Sequence, residues 1–282
     1  MKSIIPKIIP GIVLCAFLAS TLACGVTSAT EQAINSPQVP STEAITEPTP
    51  VTEATTPTFT PIPVFTVVNM VSIPTEESGK SPDYTIKAET PFFQGSEDLR
   101  VTNFNEEMAQ LTQEEIARFR DNVMQVQPLS GASGSFFDQQ YELLSPPGNL
   151  VSLKFQIMIY IEGAAHPGTH MRTITHDLEA GADVKLAQLF LPDSDFLQRI
   201  ANYCIAQLGT RDIGFEASSS GAQPLPENYS NWNITQDGLL ITFDEYQVAA
   251  YAAGPQEVIV PYKELQAVID PNGPLAGFLQ IR

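Results

Sequence analysis

Two hydrophobic periods along the chain predict its elements, one of about 2 residues for strands and one of about 3.6 for helices. The strongest strand signal covers 150–161, where alternate positions are apolar and share one face: Val151, Leu153, Phe155, Ile157, Ile159 and Ile161. Further strands are predicted at 64–73, 84–88, 136–145 and 170–178, and Pro91 should end the second of them. Apolar residues at helical spacing over 98–126 predict a long amphipathic helix with an irregularity near Thr112.

The second half of the chain shows the same alternation with shorter elements. A helix is predicted over 193–208, begun by Asp193 or Ser194 and with Cys204 on its buried face. Gln236-Asp237-Gly238 separates two short apolar runs and predicts a hairpin, and Pro261 should open a short last helix after a strand at 257–260. The whole pattern predicts an α+β fold with mainly antiparallel sheets, a long amphipathic helix in the first half and a shorter one in the second.

The amino-terminal third is typical of an exported protein. Lys2 and Lys7 precede an apolar stretch, which predicts a signal peptide over 1–23; an uncleaved anchoring helix is the alternative, because the stretch is near the lower length limit for spanning a membrane. Ala23-Cys24-Gly25 resembles the lipobox of bacterial lipoproteins, so Cys24 is the predicted lipidation site, with plain secretion as the alternative. Residues 24–63 are rich in Thr, Pro and Glu and predict a disordered linker.

These features predict an extracytoplasmic location in a bacterial cell envelope, as an anchored lipoprotein or a secreted protein. The only predicted contact with the membrane is the amino-terminal anchor. The chain has 14 basic and 32 acidic residues and a formal charge of −18. Loss of residues 1–23 removes two lysines and no acidic residue, which takes the charge to −20. This balance excludes nucleic acid as a partner and favours association with a cationic one.

No constellation of catalytic residues stands out in the sequence. The nucleophile elbow, the P-loop, the dinucleotide fingerprint and the zinc-protease motif are all missing from it. Two close carboxylate pairs, Asp193 with Asp195 and Asp244 with Glu245, are expected by chance in a chain with 32 acidic residues. We therefore expect no enzymatic activity and no cofactor.

Three histidines lie close together in the sequence, at His166, His170 and His176. Pro167 follows the first and prevents a helix that would place His166 and His170 on one face. On a strand, His170 and His176 would share a side with Arg172, and a cationic side chain between two ligands disfavours a metal ion. The sequence therefore predicts no metal site and places His170 and His176 as exposed strand residues.

Three stretches carry more specific motifs. Residues 84–108 contain a strand, Pro91, and then a helix marked by Asn105. Residues 151–190 contain a strand that ends near a Gly-Ala-Ala-His-Pro turn, and residues 232–265 contain a hairpin, the sequence YQVAAYAAG and a closing helix. In this combination and order, the stretches resemble the RsiV/PdaC-like extracytoplasmic domains, which occur in a lysozyme-responsive anti-sigma factor and ahead of a peptidoglycan deacetylase domain.

The resemblance implies two α+β domains, a PdaC-like one over 64–162 and an RsiV-like one over 163–282. It departs from the usual pattern at Ala164, where a glycine is common, and at Ala250, where a proline is common. It also implies a recognition surface near the His-Pro turn and the tyrosine-rich segment, with four candidate binding residues: Tyr160, His166, Tyr246 and Tyr251.

The function implied is that of a non-catalytic, cell-surface binding module. Its expected partner is a protein, such as a lysozyme-type muramidase or another envelope protein, or else a cell-wall glycan. The alternative is an envelope hydrolase or deacetylase-like enzyme that acts on peptidoglycan through a site the motifs do not reveal.

Overall fold

The computed structural model describes residues 69–127, 134–144 and 149–276. The predicted signal peptide, the lipidation site at Cys24 and the linker lie outside these residues. So does the start of the strand predicted at 64–73. Within the described residues, no helix is both long and apolar enough to cross a membrane.

A six-stranded sheet fills the first half of the described chain. Its strands stand side by side in sequence order: β1 (Asn69–Lys80), β2 (Asp83–Gln94), β3 (Ser135–Leu143), β4 (Leu150–Tyr160), β5 (Gly168–Asp177) and β6 (Ala182–Asp183). Neighbouring strands are antiparallel except β2 and β3, because the long helix α1 (Leu99–Met124) carries the chain across between them. The predicted α+β class with mainly antiparallel sheets is confirmed.

Helix α1 packs on the sheet through its apolar face, as its periodicity predicts. Phe104, Met108 and Phe119 are fully buried against the strands. The helix is continuous, so the predicted irregularity near Thr112 is wrong. The Thr112 side chain is buried and its hydroxyl accepts a hydrogen bond from Gln139 Nε2 at 2.9 Å, which ties the helix to β3 without interrupting it.

Strand β2 continues past Pro91, so the predicted stop at this proline is wrong. Strand β3 pairs with β2 only as far as Ala88, and a residue without an N–H group is tolerated where a strand has one neighbour. Asn105 of α1 lies against the edge of β2 that β3 leaves free beyond Ala88. Its Oδ1 accepts from Phe93 N at 2.8 Å and its Nδ2 donates to Phe93 O at 2.9 Å.

A three-stranded antiparallel sheet forms the centre of the second half. It consists of β7 (Trp232–Ile234), β8 (Gly238–Phe243) and β9 (Gln256–Pro261), in that order. Helices α2 (Phe196–Leu208), α3 (Phe215–Ser218) and α4 (Tyr262–Leu265) lie around it. Cys204 is fully buried in this core, as predicted, and burial raises the pKa of its thiol to about 12.

The two sheets meet through a buried polar contact between β4 and β7. Asn233 Nδ2 donates to Ser152 Oγ at 2.8 Å and to Leu153 O at 2.9 Å, and Ile234 N donates to the same serine oxygen at 3.1 Å. The boundary predicted between residues 162 and 163 falls inside the six-stranded sheet, because β5 pairs with β4 along ten residue positions.

Candidate functional site

Three of the four predicted binding residues come together in one place. His166 lies in the connection from β4 to β5, Tyr246 in the turn after β8, and Tyr251 at the start of the 3-10 turn Tyr251–Ala253. The imidazole stacks on the Tyr251 ring with centroids 3.8 Å apart, and the two tyrosine rings stack at 5.6 Å. We call these three residues the ring cluster.

Hydrogen bonds fix the arrangement of the ring cluster. His166 Nδ1 lies 2.8 Å from Pro167 O, and Tyr251 OH donates to the same carbonyl at 2.8 Å. A carbonyl only accepts, so Nδ1 carries the proton, and in the neutral ring Nε2 accepts from Tyr246 OH at 3.2 Å. Both tyrosine hydroxyls are therefore donors to fixed acceptors, and the cluster presents ring surface to solvent.

Tyr246 is exposed, with 61% of its surface accessible. Its φ of 65° is in the left-handed region, which is unfavourable for a residue with a Cβ atom. The turn holds it there, since Gln247 N donates to Asp244 O at 3.1 Å and Asp244 N donates to Gln247 Oε1 at 3.0 Å. The surrounding structure thus maintains a costly backbone conformation that points an aromatic ring outward.

Tyr160, the fourth candidate, has a different ring partner. It ends β4 opposite Phe136 of β3, and the two rings stack with centroids 5.8 Å apart. Among the ring contacts of the described residues, none joins Tyr160 to the ring cluster.

The carboxylate pair after β8 has a positioning role. Glu245 Oε2 accepts from Thr169 N at 2.9 Å, and Asp244 Oδ1 accepts from Met171 N at 2.7 Å. These are backbone groups on the edge of β5, so the pair attaches the turn that carries Tyr246 to the first sheet. Burial raises the pKa of Asp244 above its usual range, against the opposing effect of the Met171 N–H.

A polar pocket of about 350 Å³ lies between the two sheets. Lys154 lines it and forms ion pairs with Glu142 at 2.9 Å and with Glu257 at 2.8 Å. Burial alone would lower the pKa of Lys154, but its hydrogen bonds to Glu257 and Glu142 outweigh this effect and raise the pKa. Thr169 and Pro255 also line this pocket. Thr169 follows the connection that carries His166 and Pro255 follows the turn that carries Tyr251, so the pocket lies next to the ring cluster.

The histidines of β5 differ from the sequence expectation. His170 is part-exposed and pairs with Glu115 of α1 at 3.7 Å, and Arg172 contacts the same carboxylate at 3.2 Å. His176 is buried, so its prediction as an exposed strand residue is wrong; its ring packs edge-on against Phe104 at 5.1 Å. The alternation of β5 did place these residues on one side, and α1 covers that side.

Comparisons with known proteins agree with this architecture. Residues 187–263 match the family described as "Protein of unknown function (DUF3298)". The chain is 24% identical over 165 residues to the peptidoglycan-N-acetylmuramic acid deacetylase PdaC of Bacillus subtilis, a match that covers 57% of this chain and 35% of that enzyme. The chain therefore spans about a third of the length of this curated relative.

Two solved structures share the fold. A DUF3298 family member from Bacteroides fragilis has a TM-score of 0.59 at 15% identity, covering 76% of this chain and 98% of that one. A DUF3298 family protein from Pseudomonas aeruginosa has a TM-score of 0.56 at 14% identity, covering 73% of this chain and 95% of that one. The resemblance expected from the three sequence stretches is thus confirmed: residues 187–263 match the DUF3298 family, and the chain is similar to part of PdaC.

Proposed function

We propose that this protein is a non-catalytic binding module at the bacterial cell surface, which recognises a cationic envelope protein such as a lysozyme-type muramidase through the ring cluster. The observation that carries the proposal is the exposed Tyr246 ring, held outward at a φ of 65° and stacked on Tyr251, which in turn stacks on His166. Exposed tyrosines with a fixed conformation are well suited to protein contacts, because they bury a large area at a small cost in entropy.

The charge of the chain supports a cationic partner. A formal charge of −18 raises the association rate of a basic protein through long-range attraction. This attraction is not specific, because any basic protein feels it and salt screens it. The ring cluster would supply the specificity, since stacked rings and buried apolar area depend little on salt.

The proposed location rests on two independent supports. The sequence of residues 1–24 has the features of an export signal followed by a lipidation site at Cys24. The related enzyme PdaC acts on peptidoglycan, as its name states. A lipid on Cys24 and a Thr/Pro-rich linker would hold the module at the membrane and let it extend into the cell wall.

The first experiment measures binding of the full chain to lysozyme over a salt series, with another small protein of equal basic charge as the control. We expect one-to-one binding to lysozyme that persists at high salt and that the control protein lacks. Tyr246→Ala should weaken binding about 10-fold or more, as for an aromatic hot spot. Phe92→Ala, at a partly exposed aromatic residue on β2, is the matched variant and should bind as the wild type does.

Other outcomes would replace the proposal. Binding that matches the basic control and disappears with salt would show only a charged surface. Retention by purified peptidoglycan, lost in Tyr246→Ala, would make a cell-wall glycan the partner. Hydrolysis or deacetylation of peptidoglycan by the purified chain would favour the enzyme alternative and end the binding-module proposal.

A further inference from the structure

Helix α1, strand β5 and strand β6 each bring one metal-ligating side chain to the same point. Glu107, His176 and Asp183 each offer a ligand atom there, and these atoms all lie within 4.8 Å of one another. His176 Nδ1 lies 2.8 Å from Asp183 Oδ1, so the imidazole points into the group. The three residues are separated by 69 and 7 positions in the sequence, and their meeting is a product of the fold alone.

The imidazole is held in place with one nitrogen toward the carboxylates. His176 is only 3% exposed, and its ring packs edge-on against Phe104 with centroids 5.1 Å apart. Nδ1 is the nitrogen that faces Asp183 and the one that would bind the ion, and Nε2 is buried on the other side of the ring without a hydrogen-bond partner among the described residues. A buried imidazole with a fixed direction is a preorganised ligand.

The carboxylates also favour an added positive charge. Glu107 and Asp183 each offer a carboxylate oxygen, and these two atoms lie within 4.8 Å of each other. Two carboxylates that face each other at short range repel when both are ionised. A divalent cation between them would relieve this repulsion and would use the same oxygen atoms as ligands.

We propose that Glu107, His176 and Asp183 form a binding site for a divalent transition-metal ion, with zinc the best match to one imidazole and two carboxylates. Ligands about 2.0–2.2 Å from zinc lie about 3.3–3.6 Å from each other in a tetrahedral site. Glu107 and Asp183 are exposed, so a change of rotamer brings their oxygens to that spacing. Three protein ligands leave one position for water, and the ion joins α1 to β5 and β6.

This site is separate from the ring cluster and does not depend on the proposed function. It also departs from the sequence expectation of no metal, which weighed only the spacing of the histidines. Glu107 could not be paired with His176 before α1 was known to cover β5, nor could Asp183 before β6 was known to pair with β5.

The test is calorimetric titration of the full, untagged chain with zinc chloride, after alkylation of its accessible cysteines. We expect one zinc ion per chain, with Glu107→Gln and Asp183→Asn each weakening the affinity about 10-fold or more, since even the loss of an outer-shell partner typically costs about 10–100-fold. Glu106→Gln removes the same charge from the neighbouring, exposed position of α1 and should bind as the wild type does.

A thermal measurement on the same four proteins keeps the result interpretable. Zinc should raise the melting temperature of the wild type and of Glu106→Gln, because an ion that binds only the folded state stabilises it, and it should raise those of the other two variants much less. Circular dichroism without zinc checks that all four are folded. An absence of stoichiometric binding, or equal affinity of Glu106→Gln, Glu107→Gln and Asp183→Asn, would overturn the proposal.

Discussion

At the scale of single residues, the conformation of Tyr246 links backbone strain to the proposed binding role. A left-handed backbone costs a residue with a Cβ atom about 1–2 kcal/mol, and Tyr246 has a φ of 65°. Strain of this kind is retained where a site needs a side chain in a fixed direction. The tyrosine is thus a place where the chain gives up some stability to present a ring.

Two substitutions at this position separate the backbone from the ring. Tyr246→Ala and Tyr246→Gly both remove the ring, but only glycine adopts a φ of 65° without strain. We expect the glycine variant to be more stable than the alanine variant by about 1 kcal/mol, measured by urea denaturation, and both to lose lysozyme binding. Equal stability of the two would show that the backbone here carries no strain.

Glu115 is the residue whose charge contributes most clearly to stability. It is buried on α1 and contacts Arg118 at 2.7 Å, Arg172 at 3.2 Å and His170 at 3.7 Å. The contact with His170 and the neighbouring arginine side chains outweigh burial and lower the pKa of Glu115 below its ordinary value of 4.5. Its contribution is therefore present above pH 4.5 and is lost as the pH falls through the lowered pKa.

Glu115→Gln should lower the free energy of unfolding by about 1–2 kcal/mol at pH 7, since a buried charged acceptor is lost. The difference from the wild type should shrink as the pH falls well below 4.5, because the native carboxyl is then protonated too. Denaturation of both proteins at pH 7 and at about pH 3 measures this. The neighbouring, exposed Glu114→Gln is the control, and a gap that stays constant with pH would contradict the ionic role.

At the scale of elements, Asn105 connects α1 to β2. Its side chain accepts a hydrogen bond from the N–H of Phe93 and donates one to the C=O of Phe93, as the backbone of a neighbouring strand would. Asn105→Ala should lower the free energy of unfolding by about 2 kcal/mol, because both backbone groups lose their partners. Gln110→Ala, at an exposed position on the same helix, should change it by less than about 0.5 kcal/mol. Equal effects of the two in denaturant titrations would refute this role.

The elements were predictable where a single period dominates. The alternation over 150–161 and the helical spacing over 98–126 predicted β4 and α1 almost to their ends. Errors arose where a tertiary contact decides the outcome. The continuation of β2 past Pro91 depends on a strand edge left free by β3, and the regular helix at Thr112 depends on a buried partner in β3.

The candidate site was predictable only in part, and for the same reason. The resemblance named His166, Tyr246 and Tyr251, and the fold brings them together. The resemblance also named Tyr160, at the end of the strand before the His-Pro turn, and this ring stacks on Phe136. The partnership of His176 with Asp183 was not predicted from the sequence; it depends on the pairing of β6 with β5.

At the scale of the whole molecule, the contact between the sheets determines whether they unfold together. Asn233 is fully buried and donates to Ser152 and Leu153 across the junction. The carboxylates of Asp244 and Glu245 form a second link, to the edge of β5. Polar contacts of this kind are specific in geometry, so they favour a single arrangement of the two sheets.

We therefore expect one cooperative unfolding transition. Trp232 is the only tryptophan in the chain and lies on β7, so its fluorescence reports on the second sheet, whereas far-ultraviolet circular dichroism averages over both. The two signals should give the same midpoint in the wild type. Asn233→Ala should lower the free energy of unfolding by about 2 kcal/mol. Both midpoints should therefore move to lower denaturant concentration together. A shift of the fluorescence midpoint alone would mean that the two sheets unfold independently and that the junction contributes little to cooperativity.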